Sequence, residues 1–228
     1  MSEHAVEQVA GKWATISFDG QRCIHARRCV ISAPNVFKAN VQGPWIDPDA
    51  ASAEELIFVA LNCPSGAIQV TRHDGGAQEP IPAVNTIAIR ENGPLAVSAE
   101  VEIAGKAVGT RVTLCRCGAS ANKPYCDGSH VGAAFVASGK PATKPSEPLA
   151  LRGGVLKITP YANGPLGISG SMEILSGTGR TVDRARRRAP GLDDRGDGDG
   201  APRRAPILRG GQNIVFGAQH RFTLLSWP

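Results

Sequence analysis

An α+β chain of small units is predicted by three features of the sequence. Glycine (27) and proline (17) together make about a fifth of the 228 residues, which favours short elements and frequent turns over long helices. Short alternating apolar runs recur along the chain, as half-buried strands require. One helical signature is clear: Ser52-Ala53-Glu54-Glu55 forms a capping box ahead of LIFVALN. Hydrophobic residues reach 42%, enough for a core, and no apolar run is long enough to cross a bilayer.

In chain order, WATISFDG (13–20) reads as a strand ending in a turn. The capped helix then runs into Cys63-Pro64-Ser65-Gly66, and AIQVTRH (67–73) reads as a second strand. DGGAQEPIP (74–82) reads as a linker. TIAIR, LAVSAEVEI and GTRVTL are three further strands, leading to a cysteine-rich loop with a helical turn at 126–132. A Pro/Lys/Ser stretch at 139–148 follows. Residues 87–103 then recur at 156–174, sharing Asn-Gly-Pro-Leu at a 71-residue offset. The reading divides the chain into 1–78, 79–145, a partial strand repeat at 146–182, and a low-complexity, flexible tail at 183–228. At the repeat offset Cys115, Cys117, Cys126 and His130 map to Arg186, Arg188, Asp197 and Ala201, so the second copy keeps no ligands. A degenerate repeat accounts for this. A reading-frame change in the gene is the alternative, because similarity ends just before the ligands would begin.

The charge of +5 and pI of 9.0 suggest a nucleic-acid partner, but their distribution argues against one. Nine arginines and five aspartates lie between Arg180 and Arg209, leaving the other 198 residues with a net charge of only +1. The N-terminus lacks the apolar stretch of a secretory signal, so a cytoplasmic protein is expected, with neither nucleic acid nor membrane as partner. Reduced thiols are the rule there, and six cysteines with no export route point to metal rather than disulfides.

The cysteines fall into two sets. Cys115, Cys117, Cys126 and His130 follow C-x-C-x8-C-x3-H. The four-residue step from Cys126 to His130 would put both on one helical face, with Asp127 as a cap. Gly118 and Gly128 allow close backbone approach, and Lys123-Pro124 would turn the chain back over the site. Zinc accepts three Cys and one His, although C-x-C is tight for a zinc knuckle and suits one iron of a two-iron cluster better. The other set is Cys23, Cys29 and Cys63, with His25 nearby. These six account for every cysteine, leaving none as a nucleophile. No phosphate loop or nucleophile elbow is present, so no catalytic residue and no enzyme activity is expected.

The run from Cys115 to His130 contains Cys-Asp-Gly-Ser-His and resembles the CDGSH iron–sulfur domain of mitoNEET type. The resemblance implies a [2Fe–2S] cluster, with Cys115 and Cys117 on the inner iron and Cys126 and His130 on the outer, more exposed one. It also implies a potential above that of all-cysteine ferredoxins and sensitivity to acid, since protons compete with iron for imidazole. CIHARRCV, PNVFKANVQGPWIDPDA and NCPSGAI, within 13–72, resemble the divergent mono-cluster ferredoxin family, generally described as binding [4Fe–4S]. Against C-x2-C-x2-C…C-P, Ala26 stands where a second cysteine would be. Three thiolates suit [3Fe–4S], whereas [4Fe–4S] needs a fourth ligand, for which His25 is the nearest candidate; a hydrogen-bonding or surface role for His25 is the alternative.

The resemblances imply a ferredoxin-like domain followed by a mainly β CDGSH domain. The implied function is an iron–sulfur electron-transfer protein. Its partner would be a redox protein or an apo iron–sulfur acceptor. The alternatives are a cluster donor or redox/pH sensor, and a structural zinc-binding interaction module. Arg27 and Arg28 form a solvated face that could attract an acidic partner, and Trp45 is assigned to packing. Family members often dimerise through strands. Here the second repeat could pair internally and replace the partner, so monomer and homodimer both remain open.

Overall fold

The computed structural model describes residues 6–161 and 165–187. It is mostly β, with few helices. Strands β1 (Glu7–Ala10), β2 (Ala14–Phe18) and β3 (Ile68–Arg72) form an antiparallel sheet in the order β1-β2-β3. Between β2 and β3 lie a 3-10 turn at Gly20–Arg22, helix α1 (Arg28–Ser32), a second 3-10 turn at Pro48–Ala50, and helix α2 (Ala53–Asn62). The capping box is present: Ser52 accepts from the Glu55 amide while Glu55 accepts from the Ser52 amide. Leu56, Val59 and Ala60 of α2 bury against Ile16, Ile68 and Val70 of the sheet. Trp45 sits edge-on to Phe18 at 4.9 Å between ring centroids, a packing role as expected.

The second unit begins with β4 (Thr86–Ile89), β5 (Leu95–Ile103) and β6 (Lys106–Leu114). The short helix α3 (Ser129–Gly132) follows, and then β7 (Val155–Pro160), β8 (Leu166–Leu175) and β9 (Thr181–Arg187). The repeat is visible in the strand pairing. β4 pairs β5 and β7 pairs β8, both antiparallel. β5 then pairs β7 and β4 pairs β8, both parallel, so β4-β5-β7-β8 closes into a small barrel. Thr86 faces Glu173 and, 71 residues along from each member, Lys157 faces Glu102. Ile87↔Ile174 and Ile158↔Ile103 repeat the relation. The two copies are therefore related by an internal pseudo-two-fold, with β6 on β5 and β9 on β8 as its outer members. Leu95, Val97, Val112, Leu114, Leu156, Ile158 and Met172 fill the interior, each no more than 2% exposed. Closure also hides backbone that open edge strands would present for pairing with another chain.

Two expectations change. Residues 183–187 of the segment read as a tail belong to β9, which pairs with β8 through Arg187; the rest of that segment, residues 188–228, lies outside the described residues. The ligand mapping at a fixed offset also shifts. Val101 faces Gly109, whereas its counterpart Met172 faces Ala185, so the β8–β9 turn is longer than the β5–β6 turn. Arg186 consequently stands within β9, opposite Ser171, rather than at the place of Cys115. The linker at 74–82 is pinned: Glu79 accepts from the Val70 amide and pairs with Arg111 at 2.7 Å.

Candidate metal centres

The second cysteine loop hangs from the end of β6. A β-bridge joins Leu114 to Tyr125, the Cys115 amide donates to the Pro124 carbonyl (2.8 Å), and the Cys126 amide donates to the Thr113 carbonyl (2.9 Å). This brings the C-x-C pair beside Cys126. Successive side chains of extended backbone point to opposite sides. Cys115 and Cys117 thus share one side, with sulfurs 3.9 Å apart. Arg116 points the other way, is 7% exposed, and donates to the carbonyls of Arg90 and Ser138, both at 2.8 Å.

Cys126 Sγ lies 3.4 Å from Nδ1 of His130. The helical explanation for this pair is corrected by the backbone. Gly128 has φ +88°, and α3 begins only at Ser129, so Cys126 lies outside the helix. A left-handed turn at Gly128, natural for glycine, brings the two together. Asp127 holds that turn by accepting from the Ser129 and Ala121 amides. Burial alone would raise the Asp127 carboxyl, but these donors outweigh it and hold it at about 2.

Tetrahedral metals with bonds of about 2.3 Å to sulfur and about 2.0–2.1 Å to nitrogen set ligand pairs roughly 3.5–3.8 Å apart. The observed pairs, at 3.9 Å and 3.4 Å, lie just outside that span on either side. Among the described residues no three of His, Cys, Asp and Glu converge on a single ion. Amides also point at the sulfurs, from Ala119 to Cys117 (3.4 Å) and from Gly128 to Cys126 (3.5 Å). Burial pushes the Cys126 thiol up to about 11 and raises Cys115 as well. Burial therefore disfavours a free thiolate at this site.

The first set is built around α1 and α2. Cys23 ends the first 3-10 turn, Cys29 lies in α1, and Cys63 caps the C-terminus of α2. The thiols of Cys23 and Cys29 are raised mainly by burial, and neighbouring Cys63 adds to both. The three therefore lie within electrostatic reach of one another. The loop between Cys23 and Cys29 turns through left-handed residues at His25 (φ 53°) and Arg27 (φ 58°), costing about 1–2 kcal/mol each in a non-glycine residue. Strain of this kind clusters at ligand clamps. The backbone amide of His25 donates to Cys23, while its exposed side chain lines a cleft beside Ala26. Arg27 and Arg28 are exposed, as a solvated face requires.

That cleft is the feature the sequence reading missed. A cavity of about 530 Å³ is lined by His25 and Arg28 of the first loop, by Asp127 and His130 of the second, and by Arg90 and Pro64. The buried arginines Arg22, Arg111 and Arg116 were missed as well, because charge in a sequence reads as surface. Arg111 donates to the Cys63 carbonyl at 3.2 Å while pairing with Glu79.

Two family models match the chain. Residues 9–73 match a divergent 4Fe-4S mono-cluster, and residues 92–131 match an iron-binding zinc finger of CDGSH type. Both resemblances read from the sequence are thus found, in the expected order. No curated protein and no solved structure matches the chain. Among the described residues no helix is long and apolar enough to cross a membrane.

Proposed function

We propose, for a chain that joins a divergent 4Fe-4S mono-cluster segment to a CDGSH-type iron–sulfur segment, that it is a one-electron carrier with two clusters. Cys115, Cys117, Cys126 and His130 hold a [2Fe–2S] cluster. Cys23, Cys29 and Cys63 hold a [3Fe–4S] cluster, or a [4Fe–4S] cluster with His25 or another group as fourth ligand. The observation that carries the reading is the pairing of donors, sulfur to sulfur at 3.9 Å and sulfur to Nδ1 at 3.4 Å.

When bound, such clusters accept and release single electrons without breaking bonds to their ligands. The chain's own part is to hold and tune them. The amides of Ala119 and Gly128 offer hydrogen bonds to thiolate, which stabilise added negative charge. One neutral imidazole in place of a thiolate acts in the same direction. Buried Leu114 lies beneath the loop, and the barrel shields its inner side from water. The partner is a soluble redox protein reached from the cleft side.

A second reading is favoured by one observation: His130 lines the open cleft while Cys115 and Cys117 are anchored through Arg116. A cluster released from its His130 side first would suit a donor to an apo iron–sulfur acceptor, or a pH sensor. Optical and electron paramagnetic resonance spectra through a redox cycle decide between the two. Reversible reduction with iron and sulfide retained is the expected result. Transfer of iron to an apo-ferredoxin during the cycle supports the donor reading. A colourless protein with one zinc overturns both.

A further inference from the structure

The two ligand sets are joined by contacts that a pair of independently tethered domains would not need. Arg22 precedes Cys23 and is 7% exposed. Its guanidinium donates to the carbonyls of Ser65 (3.0 Å) and Arg111 (2.7 Å) through one nitrogen and Val108 (3.0 Å) through another. It also lies 5.7 Å from the centre of the Tyr125 ring. Ser65 is two residues beyond Cys63, and Tyr125 adjoins Cys126. One buried cation thus touches the chain beside ligands of both sets. A planar fork with several donors can satisfy three carbonyls at once, which an ammonium cannot match in geometry.

The loops also meet directly. The Asn122 side chain donates to the Gln21 carbonyl at 2.8 Å. The Ile24 carbonyl lies 3.9 Å from where a Cβ on Gly128 would stand. Ile24 follows Cys23, and Gly128 lies between Cys126 and His130. At Gly66 (φ +63°) an added Cβ would run into the Arg111 carbonyl and sit 2.7 Å from Arg22, so only glycine lets the Cys63 loop come this close to β6. His25 and His130 then open onto the same cleft.

We infer that the two ligand sets form one relay, in which an electron accepted at either set passes to the other within the chain, and that Arg22 is the positioning residue that holds them in register. The inference rests on the two-cluster reading above. The step moves one electron from the reduced set to the oxidised set, and no bond or proton changes place. The electron comes from an external one-electron reductant, dithionite in the test below, and leaves to a one-electron acceptor at the cleft. Packing of the two loops against each other, rather than a flexible linker, holds the two sets in one arrangement.

The test is electron paramagnetic resonance of the anaerobic full-length protein during a dithionite redox titration. Centres held by loops packed against each other should interact magnetically. The signal that develops first should broaden or split, and become harder to saturate with microwave power, once the second set changes oxidation state. The Cys29→Ser and Cys117→Ser variants supply the spectra of each set alone. Arg22→Lys should keep both signals and the iron content while losing at least part of the interaction. Asn122→Ala, a milder change, should do so to a smaller degree. A full-length spectrum equal at every potential to the sum of two independent signals overturns the relay while leaving two clusters in place. Absence of iron–sulfur signals overturns the two-cluster reading along with it.

Discussion

Arg116 sits between two thiol ligands and points away from both, so the C-x-C spacing has a second purpose besides placing two sulfurs on one side. Its guanidinium ties the loop to Arg90 at the end of β4 and to Ser138 beyond α3. Arg116→Ala should cost about 1–3 kcal/mol, because two carbonyls lose charged donors. It should also speed loss of an iron–sulfur cluster held by this loop, and thermal denaturation and visible bleaching read the two effects separately. His130 carries the acid response. Its Nδ1 faces Cys126, and protons would compete with a metal at that atom. Bleaching should accelerate as the pH is lowered, and His130→Cys should flatten the profile. An unchanged profile in the variant would remove His130 from the ligand set. The residue types of this site were legible in the sequence. The reason for the Cys126–His130 approach was not, because a four-residue step suggests a helix, whereas the backbone uses a left-handed glycine.

At the scale of elements, β8 closes the barrel and carries its most constrained charge. Glu173 is 4% exposed, bonds Arg152 at 2.9 Å, accepts from Thr181, and lies 3.5 Å from Arg184. Burial opposes its ionisation, but these partners outweigh that and hold its carboxyl below the ordinary value. A depressed folded value means that the contribution is complete above the unfolded carboxylate value of about 4.3 and is lost as pH falls through the lower folded value. Glu173→Gln should therefore cost about 1–2 kcal/mol near pH 7, with half-exposed Arg152 limiting the figure, and the gap to wild type should close in acid. Denaturant titrations at neutral and acid pH measure it. The repeat itself was legible from Asn-Gly-Pro-Leu, and so was the idea that the second copy pairs inside the chain. β9 was not legible, because Thr181–Arg187 is rich in arginine, and only its register against β8 reveals a strand. Because the second copy occupies the parallel edges of β4 and β5, the full-length chain should sediment as a monomer. A chain ended after residue 145 exposes those edges and should self-associate or unfold. Equal sedimentation of the two as well-folded monomers would contradict the role given to β7 and β8.

For the whole molecule, the sequence separates two cysteine sets by a linker, and the structure folds them against each other. The linker reading was reasonable for DGGAQEPIP, yet Glu79 within it is bound by Arg111, whose guanidinium also reaches the Cys63 carbonyl. Arg22 completes the junction from the other side. Nothing in the pattern of apolar residues signals such a joint, since long-range arginine-to-carbonyl bonds leave no periodicity. The chain is thereby a scaffold that presents two metal-binding loops to one cleft. The proposed occupants of these loops are iron–sulfur clusters of different size. Native mass spectrometry of the anaerobically purified full-length protein tests this most directly. The account predicts two added masses on each chain, one of two irons with two sulfides and one of three or four irons with four sulfides. The smaller should vanish in Cys117→Ser and the larger in Cys29→Ser. A single zinc mass that Cys117→Ser abolishes, with no sulfide bound, would contradict it.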